Sequence, residues 1–160
     1  MVRSAPQPPT AAEGRHLLLF DGHCGLCTSA VQFVLPRDRG GSFHLASLSS
    51  PEGRSIVTRH GGDPDDVSTV YVVADYRTSD ARALTKSRAA LFVAGTLGWP
   101  WKAATLFGAL PAVLLDRVYD LVARHRYRVV GRREQCLMPR PEWRDRFIDA
   151  RAPITDAAGD

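Results

Sequence analysis

The sequence predicts an α/β fold: a βαβ unit, then a β-hairpin and a closing helix, with a helical C-terminal extension. Three observations predict it. Short runs at residues 17–20, 43–46 and 68–74 are largely apolar or β-branched, as in strands buried in a sheet. Between the first two, apolar residues recur at helical spacing, which makes that connection a crossover between parallel strands. The last third of the chain carries longer helical patterns in place of strands.

In order, the first strand is Leu17-Leu18-Leu19-Phe20, closed by Asp21-Gly22. Over residues 27–35, Ala30, Val31, Val34 and Leu35 mark a helix, which Pro36 and Arg37-Asp38-Arg39-Gly40-Gly41 stop. Phe43-His44-Leu45-Ala46 is the second strand, and Ser50 and Pro51 open a second helix as cap and first-turn residue. After the loop Gly61-Gly62-Asp63-Pro64-Asp65-Asp66 comes a strand over residues 68–74, then a hairpin connection and a short strand over residues 80–84. A helix follows over residues 87–97, with Thr85 or Ser87 as its cap. This is the order of a thioredoxin-like unit, in which the third strand runs antiparallel to the first and the fourth returns. Strand direction then gathers three segments at one edge: the end of the first strand, the region of Val67-Ser68, and Thr85-Lys86-Ser87.

Residues 89–115 are strongly apolar, but Gly98-Trp99-Pro100-Trp101-Lys102 and Pro111 cut them into pieces shorter than the ~20 residues of a membrane span. A pair of buried or interfacial helices is expected. The second starts at Pro111, runs to about residue 130 and carries Leu114, Leu115, Val118, Leu121, Val122 and His125 on one face. Its early Asp116 and Asp120 and late Arg124, Arg126 and Arg128 match the helix dipole. The arginine-rich run over residues 124–133 therefore reads as a solvated face, and no nucleic-acid partner is expected.

The chain has 160 residues, a globular composition and a net charge of +4. One domain is expected: residues 16–150, with C-terminal helices from about residue 100, between a flexible leader (1–15) and a flexible tail (151–160). Three cysteines argue against a closed disulfide framework, and the N-terminal residues carry no apolar signal core. The expected location is cytoplasmic, where a Cys-x-x-Cys pair is catalytic or metal-binding rather than structural.

That pair stands in Asp21-Gly22-His23-Cys24-Gly25-Leu26-Cys27, where a strand gives way to a helix. A helix N-terminus offers free N–H donors and the positive end of the backbone dipole, both of which favour thiolate. Cys24 is expected to be the exposed nucleophile and Cys27, one turn on, the buried resolving thiol. The competing reading is half of a zinc site, with His23 and Cys136 as further ligand candidates; a second closely spaced pair is missing, and no metal or other cofactor is expected. Asp21 has two readings, proton acceptor for Cys27 or acceptor for backbone donors in an Asx turn. His23, as imidazolium, would stabilise a Cys24 thiolate; otherwise it is an exposed turn residue. Ser68 and Lys86 are candidates on the same edge, and Lys86 would lower a thiol pKa. Cys136 reads as a buried, inert thiol.

With its Asp-x-x-Cys-x-x-Cys signature at Asp21, Cys24 and Cys27, the chain resembles the DCC family of thiol-disulfide oxidoreductases. The resemblance continues through Val31-Gln32-Phe33-Val34, Arg37-Asp38 and Phe43-His44-Leu45-Ala46-Ser47-Leu48, and returns at Asp116-Arg117-Val118-Tyr119-Asp120, Gly131 and Cys136. It covers residues 17–148 and implies a thioredoxin-like fold and dithiol exchange with a protein or small-thiol substrate, with Asp21, Cys24 and Cys27 as the defining residues. Thioredoxins themselves place a cis-proline at the start of the third strand, facing the cysteines. Here that position lies near Val67-Ser68-Thr69, and Pro64 comes several residues early, which leaves room for metal. An apolar strand ending in aspartate also opens the haloacid-dehalogenase-like phosphatases, but these need a second aspartate where this chain has His23. The expected function is thiol-disulfide oxidoreduction. The contrasting one is an accessory module that binds metal or makes peripheral membrane contact and uses the cysteine pair structurally.

Overall fold

Four apolar residues in succession make β1 (His16–Phe20) a strand that must be covered on both faces. In the computed structural model, which describes residues 16–66, 69–131 and 140–149, β1 is central. It pairs in parallel with β2 (Phe43–Ser47) and antiparallel with β3 (Tyr71–Ala74); β3 pairs antiparallel with β4 (Arg82–Thr85). The strand order β2-β1-β3-β4 is that of the thioredoxin-like fold. α1 (Gly25–Val34) crosses from β1 to β2, α2 (Pro51–Arg59) leads on toward β3, and α3 (Lys86–Leu97) follows β4 directly.

The pleat of β1 divides the core. Leu18 and Phe20 join Val31 and Val34 of α1, Phe43 and Leu45 of β2 and Ala89 of α3. Leu17 and Leu19 join Ala46, Leu48 and Val73, under Val57 of α2. Each of these large side chains, fully removed from water, contributes about 1.5–3 kcal/mol. Local signals agree with this packing: the Ser50 hydroxyl accepts the Gly53 N–H at 3.0 Å and Pro51 occupies the first turn of α2.

The third strand begins at Tyr71, later than the pattern predicts, because the Val70 N–H is drawn out of the ladder to the Tyr119 hydroxyl at 2.9 Å. Thr85 stands at the N-cap of α3 without a side-chain capping bond; the Ser87 hydroxyl is used instead as a donor to Asp116.

The extension differs more. Residues Trp101–Ala109 form a 3-10 segment, and only then comes α4 (Ala112–Val129). Of the two readings of the apolar face, buried or interfacial, burial does not hold: Leu114, Val118, Leu121, Val122 and His125 are exposed and Leu115 is half-buried. The chain buries the opposite stripe, where Tyr119 and Ala123 are half-buried and Arg126 is 4% exposed. A second 3-10 segment, Pro141–Arg146, runs beside β2, where Arg146 binds the Asp38 carboxylate and the Phe43 carbonyl. Among the described residues, no helix is long and apolar enough to cross a membrane. The expected leader and tail, Ser68 and Cys136 lie outside the described residues.

Candidate active site

Where β1 ends, the chain turns on Asp21. Its carbonyl accepts the Cys24 N–H at 3.2 Å, and Oδ1 of its carboxylate accepts the His23 N–H at 2.9 Å. The Asx-turn reading of Asp21 therefore holds. Cys24 then takes the N-cap position of α1 in extended backbone, with Sγ accepting the Cys27 N–H at 3.4 Å. This is the place a serine or aspartate oxygen commonly fills. No acidic side chain lies in the first turn of α1 to oppose charge on that sulfur.

The end of α4 packs against the start of α1, beside the two cysteines. A Cβ built on Gly25 would lie 2.9 Å from Val130 Cγ1 and 3.1 and 3.2 Å from the carbonyl oxygens of Val130 and Gly131. Only glycine lets the end of α4 lie this close across the start of α1. Cys24 itself is 0% exposed, not the open nucleophile that its position suggests. The same helix delivers Arg126. Its Nη1 lies 3.7 Å from Cys27 Sγ and its Nη2 lies 3.8 Å from Asp21 Oδ2. Asp21, Cys24, Cys27 and Arg126 thus form one buried polar cluster inside an apolar shell. Arg126 was assigned by its sequence to a solvated face. The available signal was its spacing, seven residues after Tyr119 and three after Ala123, which places all three on one stripe.

Burial, the hydrogen bond to Cys24 and the charge of Cys24 push the Cys27 thiol from an ordinary 9.0 up to about 12; Arg126 opposes the rise and Asp21 adds to it. The unfolded chain releases this proton near pH 9, whereas the folded chain keeps it to about pH 12. The folded state then binds more protons, so stability falls as pH rises from 9 to 12, by at most about 1.4 kcal/mol per pH unit. Below pH 9 this contribution is fully present. Thermal midpoints measured for wild type and Cys27→Ala should diverge in slope above pH 9; parallel curves would contradict the assignment. Burial also raises Tyr119, but from an ordinary 10.0, so its effect begins at higher pH.

Lys86 stands on the expected edge, and with Cys27, Tyr119, Phe20, Leu26 and Trp101 it lines an apolar cavity of about 310 Å³. Its charge is engaged elsewhere: Nζ lies 3.0 Å from Asp120, and that bond raises its pKa. His23 is an exposed turn residue whose backbone is held by Asp21. The structure thus brings Asp21, Cys24 and Cys27 together, adds Arg126, and turns Lys86 toward Asp120. No group of three or more His, Cys, Asp or Glu side chains able to hold a metal ion occurs among the described residues.

A dithiol at the strand-to-helix turn of a thioredoxin-like sheet defines a redox class of protein. The chain belongs to the DCC1-like thiol-disulfide oxidoreductase family, whose model matches residues 18–132. It is similar to the uncharacterized protein YuxK of Bacillus subtilis, 36% identical over 132 residues, which are 82% of this chain and 93% of that one. It is also similar to a chloroplastic DCC family protein of Arabidopsis thaliana, 34% identical over 123 residues, 76% of this chain and 69% of the other. No solved structure matches it. The family supports a redox role for the Cys24–Cys27 pair.

Proposed function

We propose that the protein exchanges disulfides with a protein or small-thiol substrate, with Cys24 as nucleophile and Cys27 as resolving thiol. The Cys24 thiolate attacks one sulfur of the substrate disulfide, forms a mixed disulfide and expels the other sulfur as a thiolate, which takes up a proton. Cys27 then loses its proton and attacks the Cys24 sulfur. The Cys24–Cys27 disulfide forms, the second substrate thiol leaves, and two electrons have passed to the substrate. An external dithiol resets the pair.

The observation that carries this reading is the asymmetry between the sulfurs. Cys24 accepts a backbone N–H at the positive end of α1, while burial holds Cys27 protonated. Asp21 braces the turn and holds Arg126, which faces the charge that develops on Cys27. In this reading the exposed His23 and Lys86, which lines the cavity with Cys27, are the residues a docked substrate meets. Because both sulfurs are buried, the end of α4 must withdraw from Gly25 before a substrate reaches Cys24.

Trapping tests the order of attack. Cys27→Ser should accumulate a mixed disulfide through Cys24, and Cys24→Ser should not. Equal trapping by both variants would overturn the assignment of roles. Stoichiometric zinc on the pair in protein purified under reducing conditions would overturn exchange itself.

A further inference from the structure

All twelve exposed large hydrophobic side chains among the described residues lie between Trp99 and Val130. Trp99 is 82% exposed, and Leu106 and Phe107 of the first 3-10 segment stand out beside it. On α4, Leu114, Val118, Leu121, Val122 and Val129 form an exposed stripe at helical spacing. A shallow groove lined by Leu26, Leu121, Val122 and Val129 continues the stripe toward α1. Isolated exposed apolar residues are ordinary; an apolar stripe exposed along most of a helix marks a contact surface.

Charge decides what fits there. Exposed Lys102, Arg117, Arg124 and Arg128 accompany the apolar side chains. The acids of the same stretch, Asp116 and Asp120, are committed to Ser87 and Lys86. The face is therefore apolar with cations and without a free carboxylate. A second copy of the chain is a poor occupant, since a two-fold contact would set this basic face against itself. Exposed tryptophan and phenylalanine beside leucine, with arginine and lysine around them, is the composition of a surface that lies in the headgroup region of a bilayer. We infer that the exposed stripe of α4, with the exposed side chains of the Trp101–Ala109 segment, docks peripherally on an anionic lipid surface, with α4 flat in the interface and the cations on lipid phosphates. The inference stands independently of the exchange chemistry.

The test is cosedimentation of the full chain with vesicles of phosphatidylcholine alone or with about 30 mol% phosphatidylglycerol. Wild type should bind the anionic vesicles, lose most of that binding at high salt, and leave neutral vesicles unbound. Leu106→Glu/Phe107→Glu and Leu121→Glu should each weaken binding about tenfold or more. Because these side chains are exposed, circular dichroism and the thermal midpoint should be unchanged. No binding to anionic vesicles, equal binding to neutral ones, or undiminished binding by both variants would overturn the inference. So would a dimer that Leu121→Glu dissociates, which would assign the face to a second copy. An acidic protein partner as the occupant would appear as a monomer that ignores both kinds of vesicle, and that too would overturn it.

Discussion

Arg126→Met is expected to lower stability by about 3–5 kcal/mol, the cost of leaving one partner of a buried ion pair behind. The guanidinium lies between the Asp21 carboxylate and the Cys27 sulfur with both neighbours buried, and methionine fills similar volume without charge. The loss should therefore come from the Asp21 carboxylate losing this guanidinium rather than from a cavity. Urea denaturation measures it. Adding Asp21→Asn to Arg126→Met should restore a large part, because the double variant removes the buried charge that the guanidinium faces. If the single variant loses less than about 1 kcal/mol, the pair is not holding α4 onto the turn.

The same substitution has a chemical consequence. Arg126 is the group that opposes the rise of the Cys27 pKa, so without it the thiol is pushed further up. Each additional unit leaves about tenfold less thiolate at neutral pH. In the proposed exchange the second step should slow, seen as a longer-lived mixed disulfide, while the first attack should be no slower than in wild type, since a loosened α4 uncovers Cys24. Arg126→Lys should recover part of that rate, since charge is restored without the planar fork. A purely structural role would slow both steps together.

Arg146→Ala should cost about 3 kcal/mol through a second buried carboxylate. Asp38 accepts the Ser42 N–H at 3.0 Å and the Phe43 N–H at 2.9 Å, and it pairs with Arg146, which also donates to the Phe43 carbonyl at 3.0 and 2.8 Å. Removing the guanidinium unpairs a charge and frees the segment fastened to β2, where the Ile148 N–H meets the Leu45 carbonyl at 3.0 Å and Asp149 accepts the Ser47 N–H at 2.7 Å. Hydrogen exchange should then accelerate at Ser47 and Ile148 well before it changes in β1. Unchanged protection at those amides would show that the Phe147–Leu45 bridge and the packing of Phe147 hold the segment without Arg146.

The first hundred residues were largely legible because their local signals are also the ones that packing uses. The apolar run of β1, the stop at Pro36, the cap at Ser50 and the hairpin between β3 and β4 report conditions set within a few residues. Asp21, Cys24 and Cys27 were legible for the same reason, since their turn and N-cap hydrogen bonds are made within three residues. The extension was not. Periodicity identified α4 and its more apolar stripe correctly, but hydrophobicity alone left open whether that stripe is buried or interfacial.

The orientation of α4 is decided by partners distant in sequence. Tyr119 holds the Val70 N–H, Asp116 holds Ser87, Asp120 holds Lys86, and Arg126 enters the dithiol cluster. Each bond is specific to one rotation of the helix, and together they turn the polar stripe inward. The sequence by itself thus determined the α/β order, the strand-to-helix turn and the two cysteines of the signature, because hydrophobic period and turn chemistry are local properties of the chain. Only the tertiary structure decided that Cys24 is covered, that Arg126 joins Asp21 and Cys27 and that the apolar face of α4 looks outward. Burial and electrostatic pairing depend on which distant segments meet.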